Sequence, residues 1–466
     1  MRFNPIRDYA AHAKALLTAR ESRRIDAQSN TCLGKRMQRC HGCRVSVPTH
    51  PLQVRDYRLI WIARFISVAA TTAMVVVIGA QTYQISRSPA YGMSEQQASF
   101  MLGVLGLTQF IPFLLLTPLA GLVADRMDRR YVAAAATGVD LLIAMALALA
   151  NARGVLTLPL LFTLAALYGA ARVFIGPSLS AIVPNVVPAE LLPKAIAISS
   201  VAWQSASVLG PALGGFLLSR SHALPYWFSA ANLLLAIGAL LAIRHRAPPA
   251  AAKEPPLKLM GDGARFVWRD RFLLGCVSLD LFAVLLGGAT AMLPAFAYDV
   301  LHVGDEGLGL MRAAPALGAS LVAICLGFRP IAREVGAKML WAVALYGLAT
   351  LIFGLSTNYI LSLGTLAVLG GADAISVFVR TTLVQLNTPD QMRGRVSSIS
   401  GLAISASNEL GEMQSGLAAA FLGPVGAVAL GGAGAIVITA IWFGLFPELK
   451  RAKTFAPHYR KKELVP

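Results

Sequence analysis

The chain has 466 residues, 56% apolar and only 14% charged, with 41 Lys and Arg against 23 Asp and Glu for a net charge of +18. Soluble domains are about 45–50% apolar and about 25% charged, so a mean hydropathy of +0.63 excludes an ordinary soluble enzyme and assigns most of this chain to a bilayer. The apolar fraction suffices for about twelve helices of about 20 residues each.

In chain order, residues 1–57 come first, polar and basic, without the short apolar core and small-residue cleavage site of a signal peptide. The first membrane helix is therefore expected to act as its own insertion signal. Cys32, Cys40, His41 and Cys43 lie in this extension, but only Cys40 and Cys43 have C-x-x-C spacing and the set matches no common zinc site. The expectation is no metal and no cofactor, and either a disordered basic tail or translation from a start codon placed too early.

Apolar stretches follow at 58–86, 96–123, 131–151, 155–182, 195–219 and 223–243. A charged, proline-containing linker occupies 244–271, and a second set lies at 272–298, 307–328, 337–356, 359–386, 396–422 and 424–446, before a basic tail over 447–466. The expected fold is all-α, with twelve transmembrane helices in two pseudo-symmetric six-helix bundles, 58–243 and 272–446. With both ends in the cytoplasm, that side sums to about +20 and the opposite side to about −1, the asymmetry that orients membrane proteins. The chain thus reads as a multi-pass protein of a bacterial inner membrane. Topology and anionic lipid account for the basic surplus, which removes the nucleic-acid reading.

A shift of 201 positions lays Pro188–Lys194 on Pro389–Arg395, Ile198-Ser199 on Ile399-Ser400, Leu209-Gly210 on Leu410-Gly411 and Gly215 on Gly416. Matches at one offset through a loop and a helix indicate a duplicated six-helix unit, a common construction in carriers.

After the second span, Gly121-Leu-Val-Ala-Asp125-Arg126-Met-Asp128-Arg129-Arg130 places a small residue one turn before a carboxylate that can face a helix N-terminus, followed by arginines suited to the anionic leaflet. The fifth span carries Gly210-Pro211-Ala-Leu-Gly214-Gly215, where proline kinks the helix and glycines allow close contact. The first motif resembles the G-x-x-x-D-R-x-G-R-R signature of the major facilitator superfamily, with Asp128 in place of a glycine. The second resembles that family's antiporter motif, with Ala206 in place of its first glycine. Arg172 and Gly176 partly match an R-x-x-Q-G pattern, Ile175 replacing the glutamine. Ser278–Pro294 and Met392–Val396 are similar to the subgroup of enterobactin exporters and related drug efflux carriers, over about residues 52–450. The resemblance implies the major facilitator fold, a latch between the halves formed by Asp125 and Arg130, and export.

Apart from Arg58 and Lys338 at span edges, nine charged residues fall inside the predicted spans: Arg64, Asp140, Arg172, Asp280, Arg312, Asp373, Arg380, Glu409 and Glu412. Each is costly in a bilayer unless it faces protein, water or a partner. The 201-residue shift sets Arg172 on Asp373, which suggests opposite charges on opposite walls of a central cavity as a gating or coupling pair. A competing reading pairs Arg172 with Asp140, at similar depth on the adjacent helix. Asp280, about 12 Å into its helix and near Gly287 and Gly288, is the first choice for a proton-carrying carboxylate. Glu409 and Glu412, three apart on one helical face, are the second. Arg64 and Arg380 lie near helix ends, where they are expected to snorkel.

The reading is a secondary carrier, not an enzyme, that exports a siderophore-like or drug-like molecule by alternating access in exchange for protons. No G-x-x-x-x-G-K-[ST] phosphate loop, H-E-x-x-H or nucleophile elbow occurs. A proton-coupled importer or lipid flippase of the same fold is the alternative within transport, and a polytopic sensor or enzyme the alternative outside it. The partners expected are a small-molecule substrate, protons and the lipid bilayer, and a duplicated carrier needs only one chain.

Overall fold

The computed structural model describes residues 49–244 and 256–456. The cysteine-containing extension lies outside the described residues. Among the described residues, eleven helices are long and apolar enough to cross a membrane. The first half comprises α1 (Arg55–Arg87), α2 (Glu95–Arg126), α3 (Arg129–Ala152), α4 (Leu158–Val186), α5 (Leu192–Leu218) and α6 (Leu224–Leu241). A shorter helix, α7 (Pro256–Arg269), precedes α8 (Arg271–Val300), α9 (Gly304–Phe328), α10 (Val335–Leu355) and α11 (Tyr359–Leu386).

The final helical stretch, Asp390–Leu445, is 56 residues long. At about 1.5 Å per residue it is more than twice as long as the ~30 Å hydrocarbon layer. Gly423 resolves the excess: its φ of 73° and ψ of 168° leave helical geometry, which glycine tolerates without steric penalty, and Pro424 opens a new helix. The stretch is therefore two spans, α12 (390–422) and α13 (424–445), and the described residues hold twelve crossing helices.

Local sequence fixes several of the ends. Ser94 and Gln97 form a reciprocal capping box before α2, Gln97 N donating to Ser94 Oγ at 3.3 Å and Ser94 N to Gln97 Oε1 at 2.9 Å. Asp128, Asp270 and Asn358 accept backbone N–H groups at the starts of α3, α8 and α11.

Within the first bundle α1 packs on α5 and α6, α2 on α4, and α3 on α4 and α6. The second bundle repeats these pairs: α8 lies on α12 and α13, α9 on α11, and α10 on α11 and α13. Between bundles α2 meets α12 and α5 meets α9. Exchanging the halves turns one crossing into the other, which is the pseudo-twofold relation.

Lipid is as apolar as leucine, so helices associate there by close backbone contact at small residues rather than by a hydrophobic drive. A Cβ added to Gly210 would lie 2.6 Å from the Ala69 carbonyl oxygen, and one on Gly214 2.9 Å from that of Ala73, so both seat α5 on α1 inside the bundle. Gly215 turns to the other bundle. A Cβ on Gly309 would be 2.9 Å from Gly215 Cα, and one on Gly416 2.5 Å from Gly103 Cα. The helix-5 motif thus serves two contacts, and the carbonyl of Pro211 lies only 2.8 Å from where a Gly309 side chain would begin.

The end of the molecule where α1 and α8 begin is here the terminal end, and the opposite one the distal end. All four crossing glycines lie within about 12 Å of the distal end of their helices. Polar bridges join the bundles there too. Tyr83 Oη donates to the Asp299 carboxylate, Arg87 Nε lies 3.8 Å from Asp299, Gln84 Nε2 donates to Asp305 at 3.1 Å, and Ser219 Oγ to Glu306 at 2.9 Å. The structure is closed distally.

If the glycine crossings hold that closure, a Ser219→Cys, Glu306→Cys pair in a background lacking the native cysteines crosslinks readily, and adding Gly309→Leu lowers the crosslinking rate several-fold by overpacking the crossing, a cost of about 1–3 kcal/mol. An unchanged rate contradicts the assignment.

Candidate functional site

Where the two bundles meet at mid-depth, charged side chains converge from three helices. Arg172 lies on α4, and Gly169 one turn earlier lets that helix approach α2 so closely that a Cβ would fall 2.2 Å from the Gln109 carbonyl oxygen. The guanidinium then sits 5.2 Å from the centre of the Phe113 ring of α2. Because α2 is the helix that touches α12, Arg172 is directed at the second bundle, where it donates to Glu409 Oε1. This ion pair crosses between the halves.

Glu412, one turn further along α12, lies against α2 at Gly106, whose added Cβ would meet Oε2 at 2.9 Å. Its other oxygen is 4.0 Å from Arg312 of α9. Arg312 also donates to the Thr290 carbonyl at 2.7 Å. That carbonyl is free because α8 breaks at Gly287-Gly288 into a 3₁₀ turn, Ala289–Met292, and then a π turn, Phe296–Val300. Tyr346 Oη donates to the Gly287 carbonyl at 2.8 Å. Irregular backbone at membrane depth persists only where protein partners satisfy it, and Tyr346 and Arg312 do so here. A cavity of about 40 Å³ lies between the bundles, lined in part by Gln109, Pro294, Arg312 and Glu412. At that size the cavity admits a few waters.

The pairing expected between Arg172 and Asp373 does not form. The pseudo-twofold relation puts the two positions on equivalent helices but does not bring them into contact; Asp373 on α11 has no salt-bridge partner among the described residues. Nor does Asp140 hold Arg172, which is engaged by Glu409. Asp140 is fully buried on α3, and neither carboxylate oxygen has a hydrogen-bond partner.

Asp280 is not a solitary carboxylate either. Arg380 of α11 lies against it, both side chains under a tenth exposed. The charges touch, although the guanidinium N–H bonds are not aligned as hydrogen bonds to the carboxylate. Arg380 therefore turns inward to a counter-charge, contrary to the snorkelling expected from its place in the sequence. Beside it, a cavity of about 240 Å³ opens among α8, α11 and α12, with Arg380, Gln385, Ser397 and Ser400 on its walls.

At the end of α2, the surroundings of Gly121 and the side chain of Asp125 lie outside the described residues, so the latch expected between Asp125 and Arg130 is not described. Arg130 forks onto Asp128, with Nη2 2.7 Å from Oδ2 and Nε 3.1 Å from Oδ1, and donates to the Ile243 carbonyl after α6. The aspartate that departs from the signature is thus the residue that orients Arg130, inside the first bundle. Arg126 is exposed and Arg129 half-buried.

Sequence reasoning gave no role to Arg312 and misplaced Arg380. The signal for the α2–α12 contact was present as Gly103 and Gly106, two small residues on one face of α2 that match Gly416 and Glu412 on α12.

A family model described as Major Facilitator Superfamily matches residues 60–412. The chain is 27% identical over 415 residues to an enterobactin exporter of Citrobacter koseri, covering 88% of this chain and 95% of that protein, and 26% identical to its counterpart in Escherichia coli over 88% and 95%. Among solved structures, a bacterial homologue of the human lysosomal transporter Spinster superposes with a TM-score of 0.64 at 17% identity, covering 85% of this chain and 97% of the other. A D-xylose–proton symporter gives 0.62 at 15% identity, over 85% and 98%. With twelve crossing helices, two bundles related by approximate symmetry and a family match over three quarters of its length, the chain belongs to the major facilitator superfamily and is a multi-pass membrane transporter.

Proposed function

We propose that this transporter is a proton-coupled exporter of a siderophore-like or drug-like molecule in a bacterial inner membrane, with both termini in the cytoplasm. In that orientation the distally closed structure faces inward. Residues 58–243 and 272–446 are the two moving bodies, joined by the 244–271 linker. Support for export comes from relatives named as exporters over nearly their whole length, and for the orientation from the basic surplus on the terminal side.

The observation that carries proton coupling is the Arg172–Glu409 ion pair, with Glu412 one turn away, at the contact between the bundles. As the distal ends separate, α12 leaves α4 and the pair breaks. A carboxylate that loses its cation in a low-dielectric site gains by binding a proton, and when the bundles close again Arg172 and the proton compete for the same oxygens. Substrate efflux and proton entry are thereby tied to one movement.

In inside-out membrane vesicles with an acidic lumen, enterobactin is expected to accumulate, and Glu409→Gln and Glu412→Gln each to lower pH-driven accumulation at least about tenfold while the protein remains in the membrane. Uptake by whole cells with none by these vesicles means import, and normal accumulation by both variants removes the glutamates from coupling.

The Asp280–Arg380 pair lies within the second bundle and serves its folding. Removing one partner of a buried pair costs about 3–5 kcal/mol, whereas replacing both with apolar groups is often neutral. Asp280→Asn is expected to reduce the folded protein recovered by size-exclusion chromatography, and the combined Asp280→Leu, Arg380→Met to restore it. If Asp280→Asn leaves the amount unchanged and abolishes proton-driven transport, Asp280 belongs to coupling instead.

A further inference from the structure

Asp140 is a fully buried carboxylate that no hydrogen bond or salt bridge among the described residues explains. It lies on α3 with no exposed surface, and both carboxylate oxygens lack a donor. Buried polar groups are nearly always hydrogen-bonded, so an orphaned carboxylate in a packed helical bundle calls for a partner in another state. The helix beside it is α4, which packs along α3 and carries Tyr168 and Arg172 one turn apart on one face. Tyr168 is within electrostatic reach of Asp140, Arg172 and Glu409 alike, and Arg172 acts on Asp140 across the helix contact. The other charged groups around this cluster are Glu409 and Glu412 of α12 and Arg312 of α9. Only the first bundle supplies Asp140, Tyr168 and Arg172, so these three travel together when the bundles rock, whereas Glu409 departs with α12.

We propose that Asp140 is the second counter-ion of Arg172: the guanidinium holds Glu409 while the distal end is closed and turns back to Asp140 when α12 withdraws. The exchange rests on the alternating-access reading given above. One guanidinium, two carboxylates and one proton keep a net charge of zero in both states. In the closed state Arg172 pairs with ionised Glu409 and the proton is on Asp140. In the open state Arg172 pairs with ionised Asp140, and Glu409 holds a proton taken from the distal side. On closing, Glu409 gives up that proton to Asp140 as Arg172 returns; as the next cycle begins, and while the terminal side is still accessible, Arg172 turns to Asp140 and displaces its proton to that side, before Glu409 takes another from the distal side. Arg172 is never left uncompensated in the membrane, and the ion pair lost at the interface is replaced inside the first bundle. Asp140 is thus a positioning residue for Arg172 as well as a proton stop.

The test uses the full-length protein in lipid, with two readouts that require neither substrate nor a direction of transport, so its failure is separate from failure of the export assignment. The first is crosslinking between Ser219→Cys and Glu306→Cys, which reports distal closure. The second is the infrared carbonyl stretch of a protonated carboxylic acid. Asp140→Asn removes the open-state partner and is expected to raise the crosslinked fraction several-fold under conditions that otherwise open the distal end, with loss of one protonated-acid band in the closed state. Glu409→Gln removes the closed-state partner and is expected to lower crosslinking several-fold. In the double variant Arg172 has neither partner, and less folded protein is recovered than from either single variant. Should Asp140→Asn fail to accumulate, Glu409→Gln alone carries the test through the fall in crosslinking and the disappearance of the closed-state band. A crosslinked fraction and band that do not respond to either substitution overturn the proposal, as does an Asp140→Asn variant that is merely less stable with both readouts unchanged.

Discussion

The structure depends on how two bundles can hold together in lipid and still come apart. Apolar side chains supply no net drive for association there, so the contact is built from backbone approaching backbone. Gly103 against Gly416 and Gly215 against Gly309 leave no space for a Cβ. Because the two crossings are exchanged by the pseudo-twofold relation, neither bundle can tilt at one without loading the other. The closed end is then sealed by polar bonds from Tyr83, Gln84, Arg87 and Ser219, which water can replace when the end opens. Contacts that are tight but few, with solvent-compatible bonds around them, suit a surface that must part repeatedly.

Two ion pairs of similar chemistry have different consequences because of where the chain places them. Asp280 and Arg380 come from helices of one bundle and are enclosed, so their partnership is unaffected by motion between bundles. Arg172 and Glu409 come from different bundles, with the arginine more exposed, and any rotation at α2 and α12 changes their separation. A buried charge pair is weak evidence for stability in itself; under the proposed alternating access, membership in one bundle or two decides whether it acts as mortar or as a switch.

Much of the fold was legible in the sequence. Apolar run length gives the spans, and the 201-residue repeat correctly set Gly215 on Gly416, which the structure finds at equivalent crossings. The Gly423-Pro424 boundary was readable as well, as a Gly-Pro break between two apolar runs. The charged site was legible only as a set of members. Composition shows that Arg172, Arg312, Glu409 and Glu412 must find partners, but helix rotation and interbundle register choose them. A twofold relation equates Arg172 with Asp373 without making them neighbours, and the break in α8 that engages Arg312 leaves only a pair of glycines as its trace. Arg380 was misread for the same reason: distance from a helix end says nothing of which face a side chain occupies.

The central claim is that the bundles rock against each other about the Arg172–Glu409 contact. Double electron–electron resonance tests it most directly, with one pair of spin labels at the terminal end, on Glu190 and Gln391, and one at the distal end, on Arg153 and Thr357, all exposed positions on opposite bundles. Between neutral and acidic conditions in the presence of substrate, the terminal distance is expected to shorten as the distal distance lengthens, and Glu409→Gln to produce the same change without acid. Two distances that stay fixed, or that change in the same sense, would contradict it.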